Sequence, residues 1–252
     1  MLNYIKAELF KATRRMYLYI LTSLIVGGCV ILLILLGMSA VEGSFNGASR
    51  EAALMFLLMF LVGGLYMAPF ISDIVFSDQF KLSTIKNEVA FGHSRTAIYL
   101  GKLFAALIVD VGVLSVIVGV YLCGAFLFLP DKGMAWQVLP SVWRSLLGAL
   151  PLWLGGLGVM MCLHFNFKSS NIAEILYFVF LLATSGGFTV LAWLVSDRFY
   201  TVRDLLLDVP FWTLSSGTAD WAFVGRCWAI GFCWLAASTI AAVLLFRKRD
   251  LS

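Results

Sequence analysis

The sequence predicts an all-α, polytopic membrane protein with six transmembrane helices, and three observations carry that prediction. First, 62% of the 252 residues are hydrophobic and 13% are charged, against roughly 45–50% and 25% in a soluble domain. Second, six apolar stretches reach spanning length: Leu18–Val41, Ala52–Ile71, Leu103–Leu129, Ser145–Phe165, Ile172–Val195 and Trp221–Phe246. A hydrocarbon core about 30 Å thick takes about 20 helical residues. Third, these stretches lack the alternation of apolar and polar positions that marks barrel strands. Lipid offers backbone groups no partners, so each stretch is expected to be a helix that satisfies its own ladder. The chain is read as a single transmembrane domain over residues 1–252.

Residues 1–15 read MLNYIKAELFKATRR. Leu2, Ile5, Leu9 and Phe10 fall near one helical face, and the cationic Lys6, Lys11, Arg14 and Arg15 fall beside it or follow it. Such a basic amphipathic helix suits the surface of a membrane. No cleavable signal peptide is expected, because the first apolar run is too long for an h-region and its basic flank is extended. The loop Glu42–Glu51 is short and polar, so no large external domain is expected there. Pro69 predicts a kink in the second span.

A polar island, Ser72–Lys102, separates the second and third spans. Asp78 or Ser77 is suited to cap a short helix, and Gly92 to end it. Ser94 is placed to cap the long helix that follows. Phe80, Leu82, Ile85, Val89 and Phe91 provide an apolar side that packs on neighbouring helix ends; Lys81, Lys86, Asn87 and Glu88 provide a polar side facing the cytosol. This is the place where a soluble motor is expected to grip.

Leu103–Leu129 has 27 residues and reaches about 40 Å as a helix, about 10 Å more than the hydrocarbon core. Asp110 lies within it. Near the interface it costs little; at depth it costs about 2.5–3.5 kcal/mol and requires a partner. Lys102, two turns away, is not expected to be that partner. Pro130–Trp136 is a brief loop, and Gln137–Arg144 is read as an interfacial segment. The fourth span carries Pro151 with Gly148, Gly155, Gly156 and Gly158, small residues that let helices approach closely in lipid. Asn171 and Glu174 have capping-box spacing, so Glu174 reads first as a cap and second as a transport carboxylate. Residues 196–220 are amphipathic and read as an extracellular re-entrant or interfacial hairpin, with Pro210 interrupting any helix there.

Six spans put both termini on one side. Twelve of the eighteen Lys and Arg residues then share that side, leaving Arg50, Lys132, Arg144, Arg198, Arg203 and Arg226 opposite. The positive-inside rule places both termini in the cytoplasm, with Trp136, Trp143, Trp193, Trp212, Trp221 and Trp228 near the outer interface. The five cysteines (Cys29, Cys123, Cys162, Cys227, Cys233) form no CxxC pair and read as small packing residues.

Several chemistries lack their motifs. No GxxxxGK[ST] loop exists to hold ATP and no HExxH to hold zinc. His93 and His164, the two histidines, are far apart in sequence, so no metal site and no catalytic residue are expected.

In its basic amphipathic start, six spans, small external loops, short basic tail and the stretch IKNEVAFGHSRTAIYLGKL over residues 85–103, the chain resembles the permease subunits of ABC-2-type transporters. The pair Ser94–Arg95 and the Gly101–Lys102 that opens the third span carry the most specific part of the likeness; serine and histidine stand where proline and a small residue often precede the arginine. The resemblance implies a coupling helix within residues 72–95, with Lys81, Ile85, Lys86, Asn87, Glu88, Phe91, His93 and Arg95 at the contact with an ATPase. It implies two soluble ATPase subunits that bind ATP and magnesium, a second permease copy or paralogue, and no cofactor in this chain. Small permeases of this kind resemble bacterial lantibiotic-immunity and peptide-toxin exporters, implying an amphipathic peptide substrate, a multi-pass place in the bacterial cytoplasmic membrane, and no nucleic-acid partner. Two other classes compete: a motor-free transporter or channel, in which Asp110 or Glu174 would carry the coupling, and a membrane-bound immunity or scaffold protein.

Overall fold

The computed structural model describes residues 2–41, 49–76, 94–167 and 169–248. Among them every regular element is a helix. In chain order these are α1 (Leu2–Thr13), α2 (Met16–Val41), α3 (Arg50–Met59), α4 (Gly63–Phe76), α5 (Arg95–Phe128), α6 (Ala135–Asn166), α7 (Ser170–Leu194), α8 (Arg198–Arg203), α9 (Pro210–Ser215) and α10 (Trp221–Lys248). Five of them are long and apolar enough to cross a membrane, or six if the bent pair α3–α4 counts as one span.

Helix α6 forms the centre. It packs on α3, α4, α5, α7, α9 and α10, and 67% of its most apolar stretch is buried, against 11% for α2 and 17% for α7. The latter two therefore present most of their apolar surface outward. The tightest seam runs between α6 and α10 and is made by glycine. A side chain at Gly155 would meet the Gly231 carbonyl, one at Gly158 would meet Leu235 and Ser238, and one at Gly148 would meet Leu214 and Cys227. Positions ascend together along both helices, so α6 and α10 run parallel, with α7 returning between them.

Prolines and aromatic donors stitch the bundle together. Pro151 lacks the N–H that would bond the Leu147 carbonyl; the Trp228 indole donates to that oxygen instead, at 3.1 Å. Pro69 likewise frees the Leu65 carbonyl, and the Tyr177 hydroxyl donates to it at 2.9 Å. The sequence placed the second span's kink at Pro69. The structure moves it: α4 continues through Pro69, and the 60° bend falls between Met59 and Gly63. There the chain tightens into turns bonded three residues apart, Leu61 N–H to the Leu58 carbonyl and Gly64 N–H to the Leu61 carbonyl. The Trp153 ring fills the space a side chain at Gly64 would need, and its N–H bonds the Leu61 carbonyl at 2.9 Å. A glycine that admits a ring, together with a second donor on the Leu61 carbonyl, breaks the helix here.

The long helix after the polar island starts at Arg95, with Ser94 Oγ capping the Ala97 N–H as expected. Two further expectations change. The Gln137–Arg144 segment is part of one continuous helix with the fourth span. Pro210 starts a helix rather than interrupting one, occupying the first turn of α9, where its missing N–H has no intrahelical use. Leu207, Phe211 and Leu214 are buried and Trp212 is exposed, so the 196–220 segment packs its apolar side into the bundle. The Leu214 carbonyl accepts from Ser145 Oγ at 2.9 Å. The five cysteines are free.

At the bundle end away from α1, Arg50 Nε donates to the Leu129 carbonyl at 2.9 Å and its guanidinium lies 3.3 Å from Asp131. Glu51 accepts from the N–H groups of Lys132 and Met134. Trp136, Trp193, Trp212 and Trp221, all exposed, ring the same end. The α6–α10 seam provides the test of this packing. Gly231→Ala sets a methyl group against the Pro151 backbone carbonyl, which cannot rotate away, and is expected to destabilise by about 1–3 kcal/mol. Gly225→Ala, on the same helix in open space, is expected to leave the melting temperature of the detergent-purified chain unchanged or slightly raised. Equal melting temperatures for the two variants would contradict the seam.

Candidate functional site at the α1 end of the bundle

Of the residues that sequence singled out for ATPase contact, Lys81, Ile85, Lys86, Asn87, Glu88, Phe91 and His93 lie outside the described residues. Their flanks are described. Phe76 ends α4, and Arg95, half-buried, is the first residue of α5. Both ends converge on α1, which packs against α4 and α5.

The pairing that holds α1 is one sequence reasoning missed. Glu8, on the face of α1 turned toward the bundle, is 2% exposed. Its carboxylate receives Lys102 Nζ at 2.8 Å and Lys11 Nζ at 2.7 Å. Lys102 is fully buried, and its ammonium also sits 5.7 Å from the centre of the Tyr4 ring. That ring occupies the space a side chain at Gly101 would take. Glu8 and Ala12 are buried and Tyr4 half-buried, an i, i+4 series turned to the bundle; of the predicted apolar face, Ile5 and Leu9 are half-buried and Leu2 and Phe10 exposed. Lys6 and Arg14 are exposed and Arg15 is half-buried; Arg14 lies over the Phe10 ring. The signal present in the sequence was an acid at i+4 from Tyr4, paired with a lysine opening an apolar run. A one-dimensional reading could not join positions ninety-four residues apart.

Burial pushes the Glu8 carboxyl up, but the Lys102 and Lys11 ammoniums outweigh it and hold it below the ordinary carboxylate value of 4.5. A group whose folded value is depressed stabilises fully above its unfolded value and loses that contribution as pH falls through the folded one. The pair is therefore at full strength at neutral pH and weakens in acid.

A second polar group lies at the same end. One ring nitrogen of His164 and one oxygen from each of Asp73 and Glu174 lie within 4.8 Å of one another. They come from α6, α4 and α7. His164 is 1% exposed and stacks on Phe76, with ring centres 5.5 Å apart. Its Nδ1 is 2.6 Å from Ser72 Oγ, and Ser72 Oγ also donates to Met161 Sδ at 3.1 Å. Tyr17, at the start of α2, is within electrostatic range of both carboxylates. The capping-box reading of Asn171 and Glu174 is corrected: α7 starts at Ser170 with Ser169 before it and no side-chain cap. Glu174 is free of that role because it lies a turn into the helix, and it turns toward Asp73 and His164 instead.

Asp110 lies inside the bundle. It is 1% exposed, and neither carboxylate oxygen has a hydrogen-bond partner among the described residues. Tyr177 lies within electrostatic range of it, while the Tyr177 hydroxyl is committed to Leu65. Lys102 is committed to Glu8, as expected not to Asp110. An open groove of about 920 Å³ lies near the opposite end between α7, α9 and α10, lined by Thr189, Arg203, Trp212 and Arg226 among others. A smaller apolar cavity of about 330 Å³ sits where α3–α4 bends, between α2 and α5, against Tyr121 and Trp153.

No protein-family model matches the chain, and no curated protein matches it. The Glu8–Lys102 pair supplies the direct test of this site. Lys102→Met leaves Glu8 buried without its main partner and is expected to destabilise by about 3–5 kcal/mol; Glu8→Gln with Lys102→Met together should recover much of that loss. In wild type, detachment of α1, read by fluorescence quenching of a label at Leu2, should begin only as pH drops below the ordinary carboxylate range. Detachment between neutral pH and that range would show that another group holds the helix.

Proposed function

We propose that this chain is the membrane-spanning permease subunit of an ATP-driven exporter of the ABC-2 type. It crosses the bacterial cytoplasmic membrane six times, with α3 and α4 together forming one broken span and both termini in the cytoplasm. Helix α1 lies along the inner surface, residues 72–95 form the coupling region, and residues 196–220 form an extracellular re-entrant element. Two soluble ATPase subunits, binding ATP and magnesium, supply the work. A second copy or paralogue of this chain completes the pathway, and the cargo is an amphipathic or hydrophobic peptide.

One observation carries this reading. The buried Glu8–Lys102 pair fastens the amphipathic helix to the first turns of the long helix that directly follows residues 77–93. At about 1.5 Å per residue, the 34 residues of α5 reach about 51 Å, well beyond a hydrocarbon core of about 30 Å. The surplus at the α1 end extends the helix out of the lipid as a stiff lever, and a push on the segment before it would be transmitted along α5. A coupling device needs a rigid element of this kind between the motor and the spans. The apolar cavity is lined mostly by aliphatic side chains with Phe60, Tyr121 and Trp153, and by no charged residue among those described, which suits a greasy cargo.

Asp110 favours a second reading, a motor-free transporter. A buried acid with neither oxygen bonded among the described residues is what a proton-coupled carrier places within its spans.

The two readings separate in reconstituted vesicles. Exporter function requires a stoichiometric soluble ATPase to co-purify, and ATP hydrolysis by the complex to rise with an amphipathic peptide. Reversing charge at the coupling region, Lys86→Glu with Glu88→Lys, should reduce ATPase recovery at least tenfold while the chain remains monodisperse. Uptake driven by a pH gradient without ATPase, abolished by Asp110→Asn, would reject the exporter reading in favour of the carrier.

A further inference from the structure

The polar group formed by α4, α6 and α7 has no part in the coupling just described. We propose that Asp73, His164 and Glu174 bind one divalent transition-metal ion. This assignment goes beyond the transport reading and does not rest on it.

Three helices each contribute one ligand, and the ligand atoms already lie within 4.8 Å of one another. Around a tetrahedral zinc ion, with bonds of about 2.0–2.2 Å, neighbouring ligand atoms stand about 3.3–3.5 Å apart. Asp73 and Glu174 are both half-buried, and their carboxylates lie within electrostatic range of each other.

The histidine supplies an independent pointer. His164 Nδ1 lies 2.6 Å from Ser72 Oγ, which also reaches Met161 Sδ at 3.1 Å. With the ring proton on Nδ1, donated to Ser72 Oγ, Nε2 keeps its lone pair. It is buried and has no hydrogen-bond partner among the described residues. Metal-bound histidines are oriented in this way: one nitrogen donates to a neighbour and the other is free to ligate. The stack on Phe76 holds the ring plane. One imidazole and two carboxylates form a mixed nitrogen and oxygen set that suits zinc, cobalt, manganese or ferrous iron, and suits calcium or magnesium less well because these favour oxygen alone. A bound ion would join the ends of α4, α6 and α7 immediately before residues 77–93.

The test uses the full-length chain in detergent, stripped with chelator and titrated with Co²⁺ alone and then Zn²⁺ alone. The proposal expects one equivalent of Co²⁺ with visible d–d absorption, no thiolate-to-metal charge transfer, displacement by Zn²⁺, and a raised melting temperature. His164→Gln and Glu174→Gln should each weaken binding at least tenfold, and Ser72→Ala about tenfold through loss of the ring's orientation. If the buried His164→Gln chain does not fold, the half-exposed Glu174→Gln decides. Absence of saturable binding, a charge-transfer band assigning the ion to cysteine, or wild-type affinity in Glu174→Gln would each overturn the site.

Discussion

The structure depends on a buried ion pair that neither partner could sustain alone. Lys102 has no contact with solvent and Glu8 almost none. Removing either charge from water without the other would cost several kcal/mol, so each fixes the other in place. Glu8 cannot leave Lys102 without exposing a lone buried ammonium, and α1 cannot lift from α5 without separating them. Tyr4 over Gly101 and the second ammonium from Lys11 close the remaining directions. A short helix that would be marginal by itself becomes part of the bundle, and the first turns of α5 become stiff.

Lipid imposes a second constraint, that every carbonyl freed by a break or a proline must find a donor within the protein. Leu61, Leu65 and Leu147 each lose a normal backbone partner, and each receives an aromatic donor from another helix: Trp153, Tyr177 and Trp228 respectively. The prolines therefore fix which helices are neighbours. Pro69 ties α4 to α7, and Pro151 ties α6 to α10. These bonds explain why α6 is central although its sequence carries two prolines and a run of glycines: the glycines admit α10 closely, and the donors repair the ladder.

What sequence revealed was what local composition dictates. Helical spans, the Ser94 cap and the close approach at Gly148, Gly155 and Gly158 all follow from residues near one another in the chain. Pro69 and Pro210 misled because a proline's effect depends on what replaces its missing bond: a tyrosine hydroxyl from α7 in one case, the first turn of a helix in the other. The Asp73–His164–Glu174 group and the Glu8–Lys102 pair were invisible for a different reason. Each joins positions far apart in sequence, and a lone histidine or glutamate in an apolar run says nothing of what faces it. Glu174 was given a local partner because only local partners can be seen in one dimension.

Taken together, α1, the end of α4 and the start of α5 form one braced assembly on either side of residues 77–93. The exporter proposal requires this assembly to face the cytosol, because the soluble ATPase it invokes could act nowhere else. The most direct measurement is the accessibility of single cysteines introduced at Asn87 and Lys132 in an otherwise cysteine-free chain, using a membrane-impermeant maleimide on intact cells. The account predicts labelling of Lys132→Cys on intact cells and of Asn87→Cys only after the membrane is opened. Labelling of Asn87→Cys from outside intact cells would contradict it.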